Sequence, residues 1–432
     1  MSNITPAHFS DNLSAFNNTA SGIQVSAIPL ALYIHIPWCV KKCPYCDFNS
    51  HELPMDMQLS MYDEYVDALL SDAAMQQSLT QAREISSIFI GGGTPSLLPI
   101  AQYQRLFTGL RNIFKFADGI EVTMEANPGT LEHAPFSQYL EVGINRLSIG
   151  VQSFAADKLK TLGRIHDPAQ ALSAIRAACA AGFERVNVDL MHGLPQQTMN
   201  EALNDIQMAH DAGATHISWY QLTIEPNTVF YRSQPILPDE DNLADIEQAG
   251  QALLQQLGYR NYEVSAWAGA SDEACCHNVN YWQFGDYLAI GAGAHGKVTI
   301  AHEASALTEN GLKNDLLVDS GIYRFSKSRL PKDYVDYQDN TDSSVKRNSP
   351  KMVGWQEIDS DELVSEFMLN ALRLHDGVAW SMFTARTGLS YDDIAVQVAQ
   401  LITQGLLVDN TERLQPTLLG QRYLNQILRA FL

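Results

Sequence analysis

Short β-rich runs alternate with longer helical patterns from Leu32 to about Leu222, and this rhythm restricts the possible folds more than any other feature of the chain. The strand candidates are Leu32–Ile36, Ser87–Gly91, Glu121–Glu125, Arg146–Ile149, Arg185–Leu190 and His216–Leu222. Helical stretches such as Tyr62–Met75, Ala169–Ala181 and Glu201–Ala212 separate them. Repeated βα units imply a parallel sheet with helices packed outside it. Six units either close partly into a barrel or spread as an open doubly wound sheet. The strand ends favour the barrel. The first run leads to three cysteines, the second to Gly91-Gly92-Gly93-Thr94-Pro95, and the third to Glu125-Ala126-Asn127-Pro128. The fourth leads to Gln152, the fifth to Asp189, and the sixth to Gln221 and Glu225. Barrels build their sites at the C-terminal ends of their strands. The expected fold is therefore α/β, a partial (β/α)6 barrel.

A chain of 432 residues, 46% of them hydrophobic, can bury one large core and a smaller one beside it. After about Gly296 the composition changes. The division expected is a flexible tail over 1–30, a core over 31–300, a polar linker or insertion over 301–360, and a helical domain over 361–432. In the last, Ser381–Thr387, Tyr391–Gln404 and Leu418–Phe431 read as helices and Gly405–Val408 as a turn and short strand, a winged-helix-like pattern. That segment carries no excess of basic residues, and the whole chain has a formal net charge of −21. Both argue against nucleic acid as a partner and against anionic lipid surfaces. No apolar run is long enough to span a bilayer, so stable membrane insertion is not expected. The segment from Met1 to about Ala27 lacks the basic start and apolar stretch of a signal peptide. Six cysteines are too sparse for a disulfide scaffold in a chain of this length, and three fall within eight residues. These features suggest a cytoplasmic protein.

The three cysteines stand in Cys39-Val40-Lys41-Lys42-Cys43-Pro44-Tyr45-Cys46. Soft thiolates suit iron–sulfur clusters and zinc. Three on one loop can hold three irons of a [4Fe–4S] cubane and leave the fourth open to chelate the amino and carboxylate groups of S-adenosylmethionine (SAM). Zinc would need a fourth ligand, for which His35 and His51 are near in sequence. Cys179, on an apolar helix, reads as core.

The CX3CX2C spacing after Tyr33-Ile34-His35-Ile36-Pro37-Trp38 resembles the radical SAM superfamily. More narrowly, the chain resembles the oxygen-independent coproporphyrinogen oxidase-like group, and within it the heme-chaperone branch. The resemblance runs from about Leu32 to Gly296 and more loosely to Leu432. It implies a site for SAM in which Tyr33 stacks near the ligand and Tyr45 lies along the adenine. Gly92, Gly93 and Thr94 would meet its methionine end, and Glu125 its amino group. Gln152 and Arg164 would contact the ribose or carboxylate, and Asp189 the ribose.

Three details point to the chaperone branch. Where the oxidases carry a fourth cysteine, two residues after the third, this chain has Phe48. The first strand also begins early, without a long segment ahead of it. His277-Asn278-Val279-Asn280-Tyr281-Trp282 resembles an HNXXYW motif of that branch. It makes His277, Tyr281 and Trp282 the heme candidates, because imidazole ligates heme iron and aromatics pack on porphyrins. His295 and the Cys275–Cys276 pair are alternative ligands. The resemblance thus implies a heme chaperone with a [4Fe–4S] cluster, SAM and heme. Its partners would be an electron donor and acceptor apo-hemoproteins, respiratory ones among them. The rival is an oxygen-independent coproporphyrinogen III dehydrogenase, in which a radical from SAM abstracts hydrogen from a porphyrinogen propionate. A third reading is a radical SAM enzyme acting on a substrate that is not a tetrapyrrole.

Overall fold

The computed structural model describes residues 23–54, 58–130, 134–300, 320–336 and 353–432. The expected tail is thus described only from residue 23, and much of the expected linker lies outside the described residues. Six parallel strands follow one another in chain order across the sheet: β1 (Leu30–Ile36), β2 (Ile85–Gly92), β3 (Phe116–Ala126), β4 (Arg146–Gln152), β5 (Arg185–His192) and β6 (His216–Gln221). Every strand candidate falls on one of them. The crossovers carry α1 (Leu59–Met75), α2 (Ile100–Ile113), α3 (Phe136–Val142), α4 (Pro168–Ala180) and α5 (Met199–Ala212).

Local sequence explains where the helices start and stop. Asp167 and Gln170 form a reciprocal capping box ahead of α4, with Pro168 at its first position. Thr198 and Glu201 do the same for α5, which ends at Gly213 with φ +103°.

Alternation along each strand divides the sheet into two chemically different faces. Leu32, Ile34, Ile88, Ile90, Val122, Met124, Leu147, Ile149, Val186, Val188, Ile217 and Trp219 join Tyr65, Leu69, Leu106 and Ile206 of the helices in one apolar core. The intervening residues have the opposite character. They include Tyr33, Ser87, Glu121, Glu125, Ser148, Asn187, Asp189, His216 and Ser218, most of them polar. Because side chains switch faces at each residue, the face away from the helices becomes a polar interior with its chemistry at the strand ends.

β6 does not return to β1. After α6 (Glu240–Gln256), β7 (Arg260–Asn261) and β8 (Ala266–Ala268) continue the sheet antiparallel beyond β6. A short helix, α7 (Cys276–Trp282), leads to β9 (Asp286–Ile290), which pairs parallel with the outer edge of β1. β10 (His295–Ile300), β11 (Gly321–Ser326) and β12 (Val353–Glu357) extend that edge antiparallel. Among the described residues, the result is a partial barrel within one twelve-stranded sheet.

β11 and β12 come from the stretch expected to be irregular linker. Ile322, Tyr323 and Phe325 are buried, and Trp355 stacks on the latter two at 5.1 and 5.6 Å. The polar segments around these short strands conceal them in the sequence.

The C-terminal part has its own core. α8 (Ser360–Ala371), α9 (Trp380–Thr387) and α10 (Ala395–Thr403) bury Phe367, Phe383, Val398 and Leu401 with Leu406 and Ile427. Val378–Ala379 pairs with Arg413–Leu414 as a small antiparallel ribbon. The expected last helix is two helices, Leu418–Arg422 and Leu424–Arg429, because Tyr423 leaves helical geometry at φ −111°, ψ 35°. Phe284 and Ile322 from the barrel join the same cluster and dock the domain.

A buried ion pair ties α1 to the strand extension. Lys327 Nζ lies 2.6 Å from Asp72 Oδ1, and neither side chain is exposed. Tyr334 and Gln76 also donate to Asp72, at 2.7 and 2.9 Å. Removing one member of such a pair leaves a buried charge uncompensated. Lys327→Met should lower unfolding stability by about 3–5 kcal/mol in urea denaturation, and a loss below about 1 kcal/mol would show that the pair does not hold this seam.

Candidate functional site

At the C-terminal ends of the six strands, a turn of glycines holds the cysteine loop. The Gly93 amide donates to the Ile36 carbonyl at 2.7 Å, and the Thr94 amide to that of Trp38 at 2.7 Å. Side chains are excluded here. A Cβ on Gly93 would lie 2.5 Å from the Trp38 carbonyl oxygen, and Gly92 has φ +116° with the His35 ring 2.7 Å from where its Cβ would be. The glycines therefore let the β2 turn close onto the chain that carries Cys39.

The three thiols sit in one polar setting. Thr94 and Ser50 hydrogen-bond Cys39, and the Cys46 Sγ lies 3.6 Å from Ser50 Oγ. Burial pushes the Cys39 and Cys46 thiols up, and each is raised further by the neighbouring cysteines. Arg164 reaches the third, with Nη1 3.7 Å from Cys43 Sγ. Its Nη2 donates to the Asn127 side chain at 2.5 Å and to the Gly150 carbonyl at 2.6 Å. Asn127 Nδ2 in turn donates to Thr94 Oγ1 at 2.9 Å. Cys39, Thr94, Asn127, Arg164 and Cys43 thus form one connected chain of contacts.

The donor set suits an iron–sulfur cluster. Among the described residues, no three His, Cys, Asp or Glu gather closely enough to hold a single metal ion. Cluster irons need one thiolate each, and thiols in a cationic setting yield their protons to a metal. Of the two histidines that could complete a zinc site, His35 has both ring nitrogens engaged and His51 has one. His35 has Tyr33 OH 2.9 Å from Nδ1 and the Asn49 carbonyl 2.9 Å from Nε2, and His51 Nε2 bonds the Arg329 carbonyl at 3.2 Å.

Two carboxyls face this loop across the interior. Glu125 Oε2 accepts from the Gly92 amide at 3.2 Å. The residue keeps some exposed surface, yet enough protein surrounds the carboxyl that burial, with Asp189 adding to it, raises its pKa to about 8. A group lining a recess has both properties, whereas one sealed in the core would show no surface. Burial also raises Asp189, against hydrogen bonds from Ser148 at 2.9 Å and Asn187 at 2.8 Å. Neither carboxylate has a salt-bridge partner among the described residues. Gln152 takes φ +71° where β4 slips register against β5, and its Oε1 accepts from Tyr220 OH at 2.8 Å. This left-handed backbone at a residue other than glycine is a local strain of the kind found at binding sites. Tyr45 packs beside Phe230 at 6.3 Å, and Arg164 hydrogen-bonds its hydroxyl.

The recess thus gathers Tyr33, Tyr45, Gly92, Gly93, Thr94, Glu125, Gln152, Arg164 and Asp189 beside Cys39, Cys43 and Cys46. Asn127 and Tyr220 were not singled out from the sequence. Asn127 stands in the quoted Glu125-Ala126-Asn127-Pro128 motif at a strand end, which is the signal that would have found it. Tyr220 carries no motif.

The heme candidates lie elsewhere. His277 stacks on Phe89 at 4.8 Å, meets Tyr281 edge-on at 4.5 Å and lies 6.3 Å from Tyr33. It is 3% exposed, and burial pushes it down to about 3, so it is neutral. Tyr281 packs on Tyr287 at 4.3 Å, and the Arg373 guanidinium lies over the Trp282 ring at 4.2 Å. α7 therefore closes the base of the barrel. Cys275 is buried, with its thiol raised to about 11 by burial and its Sγ 3.4 Å from Glu121 Oε1, whereas Cys276 is exposed. His295 is exposed on the mouth side, at the start of β10. Cys179 is partly buried and bonds the Gly213 carbonyl at 3.5 Å.

Residues 33–209 match the radical SAM superfamily, and residues 358–423 match the HemN C-terminal domain. The heme chaperone HemW of Escherichia coli strain K12 is 44% identical over 409 residues, which span 95% of this chain and 100% of that protein. The heme chaperone HemW of Haemophilus influenzae is also 44% identical, over 94% of this chain and 98% of its own. The chain belongs to the HemW family. Its fold is also that of coproporphyrinogen III oxidase (HemN) from Escherichia coli, with a TM-score of 0.73 at 23% identity over 94% of this chain and 90% of that one. Membership of the HemW family, within the radical SAM superfamily, implies a [4Fe–4S] cluster and SAM. No helix among the described residues is long and apolar enough to cross a membrane.

The coupling of the two carboxyls can be measured. The negative charge of Asp189 raises Glu125, so Asp189→Asn should lower the Glu125 pKa from about 8, seen as carboxyl-stretch infrared bands titrating at lower pH. An unmoved titration would mean that burial alone sets it.

Proposed function

We propose that this chain is a heme chaperone, which binds heme and passes it to acceptor apo-hemoproteins, respiratory ones among them, from a scaffold that holds a [4Fe–4S] cluster and SAM. The observation that carries this reading is identity to heme chaperones along nearly the whole chain, the C-terminal domain included. Cys39, Cys43 and Cys46 would hold three irons. Glu125 would receive the SAM amino group in a charge-assisted contact, which a buried carboxyl without its own cation favours. Gly92, Gly93 and Thr94 would border the methionine end, with Gln152, Arg164 and Asp189 on the ribose and carboxylate side and Tyr45 along the adenine. Tyr33 would close the recess below. When bound, the cluster and SAM supply one-electron chemistry, which calls for an electron donor. The chain's own residues orient the ligand, exclude water and set the charge around it. The cytoplasm is the compartment that free thiols and an exposed loop of this kind favour.

The cluster assignment has a direct test. Cys39→Ser, Cys43→Ser or Cys46→Ser should each abolish the visible absorbance of an anaerobically reconstituted chain, and retention of about four irons by any of them would overturn it. Glu125→Gln should keep the cluster and weaken SAM binding about tenfold or more in equilibrium dialysis.

The second reading is a coproporphyrinogen III dehydrogenase, favoured by the shared fold with HemN. Phe48 separates the two. It stands two residues after the third cysteine, where a thiol would face the mouth, and 60% of its surface is exposed. The full chain, supplied with cluster, SAM and reductant, should bind hemin with a defined Soret band and leave coproporphyrinogen III unconverted. Sustained production of protoporphyrinogen would decide for the dehydrogenase.

A further inference from the structure

The loop that carries the cysteines meets two other turns on the outside of the barrel mouth. Asn49 Nδ2 donates to the Arg329 carbonyl at 2.8 Å and to the Ala292 carbonyl at 3.0 Å. The Gly293 amide donates to the Ser328 carbonyl at 2.7 Å. These bonds bring the residues that flank them together. Phe48 precedes Asn49, Leu330 follows Arg329, and His295 follows the 291–294 turn. Phe48 and Leu330 are large apolar side chains with 60% and 54% of their surface in water.

The His295 side chain is exposed here and makes no hydrogen bond among the described residues. Burial, then Arg329 and Arg324, lower its pKa, which keeps the imidazole neutral and its nitrogen lone pair available near neutral pH. Arg324 is engaged with Glu366 and Tyr287. Arg329 is exposed and enters no ion pair among the described residues. Lys41 and Lys42 are exposed on the cysteine loop, with Asp47 and Glu52 the acidic residues beside them. Lys42 Nζ donates to the Phe48 and Ser50 carbonyls at 3.0 and 3.2 Å, so it braces the loop. In a chain of net charge −21, exposed cations next to exposed apolar side chains and a neutral imidazole are a distinctive combination. It complements one ligand class: a planar apolar ring with a metal at its centre and carboxylates at its edge.

We propose that this rim is a docking site for a metalloporphyrin. His295 ligates the iron, Phe48 and Leu330 lie against the macrocycle, and Arg329 pairs with a propionate. The proposal rests on the heme-carrier reading and deepens it by naming the site. His277 offers the same chemistry but is sealed under Phe89 and Tyr281, so iron could reach it only if α7 left the barrel base. At His295 none of the described residues has to move. An exposed ligand also suits a carrier, because an acceptor can approach the heme while it is still bound.

The test uses the full chain with reconstituted cluster, titrated with hemin and with metal-free protoporphyrin. His295→Ala should shift the Soret band and weaken hemin at least about tenfold, a loss of ~1.4 kcal/mol. It should bind metal-free protoporphyrin as the wild type does, because that probe offers no iron to ligate. Arg329→Glu should weaken both probes without moving the hemin band. A wild-type spectrum and affinity for hemin in His295→Ala would overturn the assignment, as would equal weakening of both probes. Unchanged affinity in Arg329→Glu would remove the propionate contact. Failure of the wild-type chain to bind hemin is a different result, and it would sink the heme-carrier reading itself.

Discussion

Two backbone hydrogen bonds, from Gly93 to Ile36 and from Thr94 to Trp38, fix the end of β2 to the chain leaving β1. The mouth of the barrel depends on them. A loop of three cysteines has little to fold around, since it is short, partly exposed and broken by Pro44. The β2 turn supplies the missing wall, and only residues without Cβ let the two backbones come so close. Thr94 then touches Cys39 from the same turn, and the Asn127–Arg164 bridge carries the connection on to Cys43. Ends of β1, β2, β3 and β4 are thereby coupled, and a shift in any of them moves a thiol.

The two ends of the barrel treat charge differently. At the base, Arg185 pairs with Glu121 and lies 2.5 Å from Asp272, and the buried Arg146 stands near Glu121. Charge there is balanced within the chain, as buried charge must be. At the mouth, Glu125 and Asp189 are surrounded by protein and have no salt-bridge partner among the described residues, and their raised pKa values record that cost. Burying a carboxyl this way destabilises the chain alone and makes a cationic ligand the natural completion of the site.

The parallel strands were legible because each is a compact β-rich run followed by a polar strand end, and those ends are where the recess formed. The glycine turn, Glu125, Gln152 and Asp189 were found by that logic, with Arg164 added through its resemblance to a motif. What was hidden depends on distant partners. Asp286–Ile290 reads as an apolar run, but nothing in it says that it pairs with β1 more than 250 positions earlier in the chain. β11 and β12 are too short and too polar in their surroundings to stand out. Tyr220 became a site residue only because a register slip turned Gln152 toward it. The burial of His277 was also invisible, since a histidine among aromatics reads equally well as ligand or as wall.

The way the sheet ends decides which openings a ligand meets. Instead of closing β6 on β1, the chain adds β9 parallel to β1 and antiparallel strands beyond β9 and beyond β6, and it fills the base with α7. His277, Tyr281 and Trp282 are packed there against Phe89, Tyr287 and Arg373. Stacking of this kind buries aromatic surface and stabilises the floor, but it removes the free ring face that a porphyrin would need. The mouth is built from turns held by side-chain amides and single backbone bonds, with phenyl, leucine and imidazole groups left in water. A large planar ligand meets the rim without displacing core, whereas reaching the floor costs the packing of a whole helix. The strands added beyond β1 supply that rim, since Arg329 and Leu330 follow β11 and His295 opens β10.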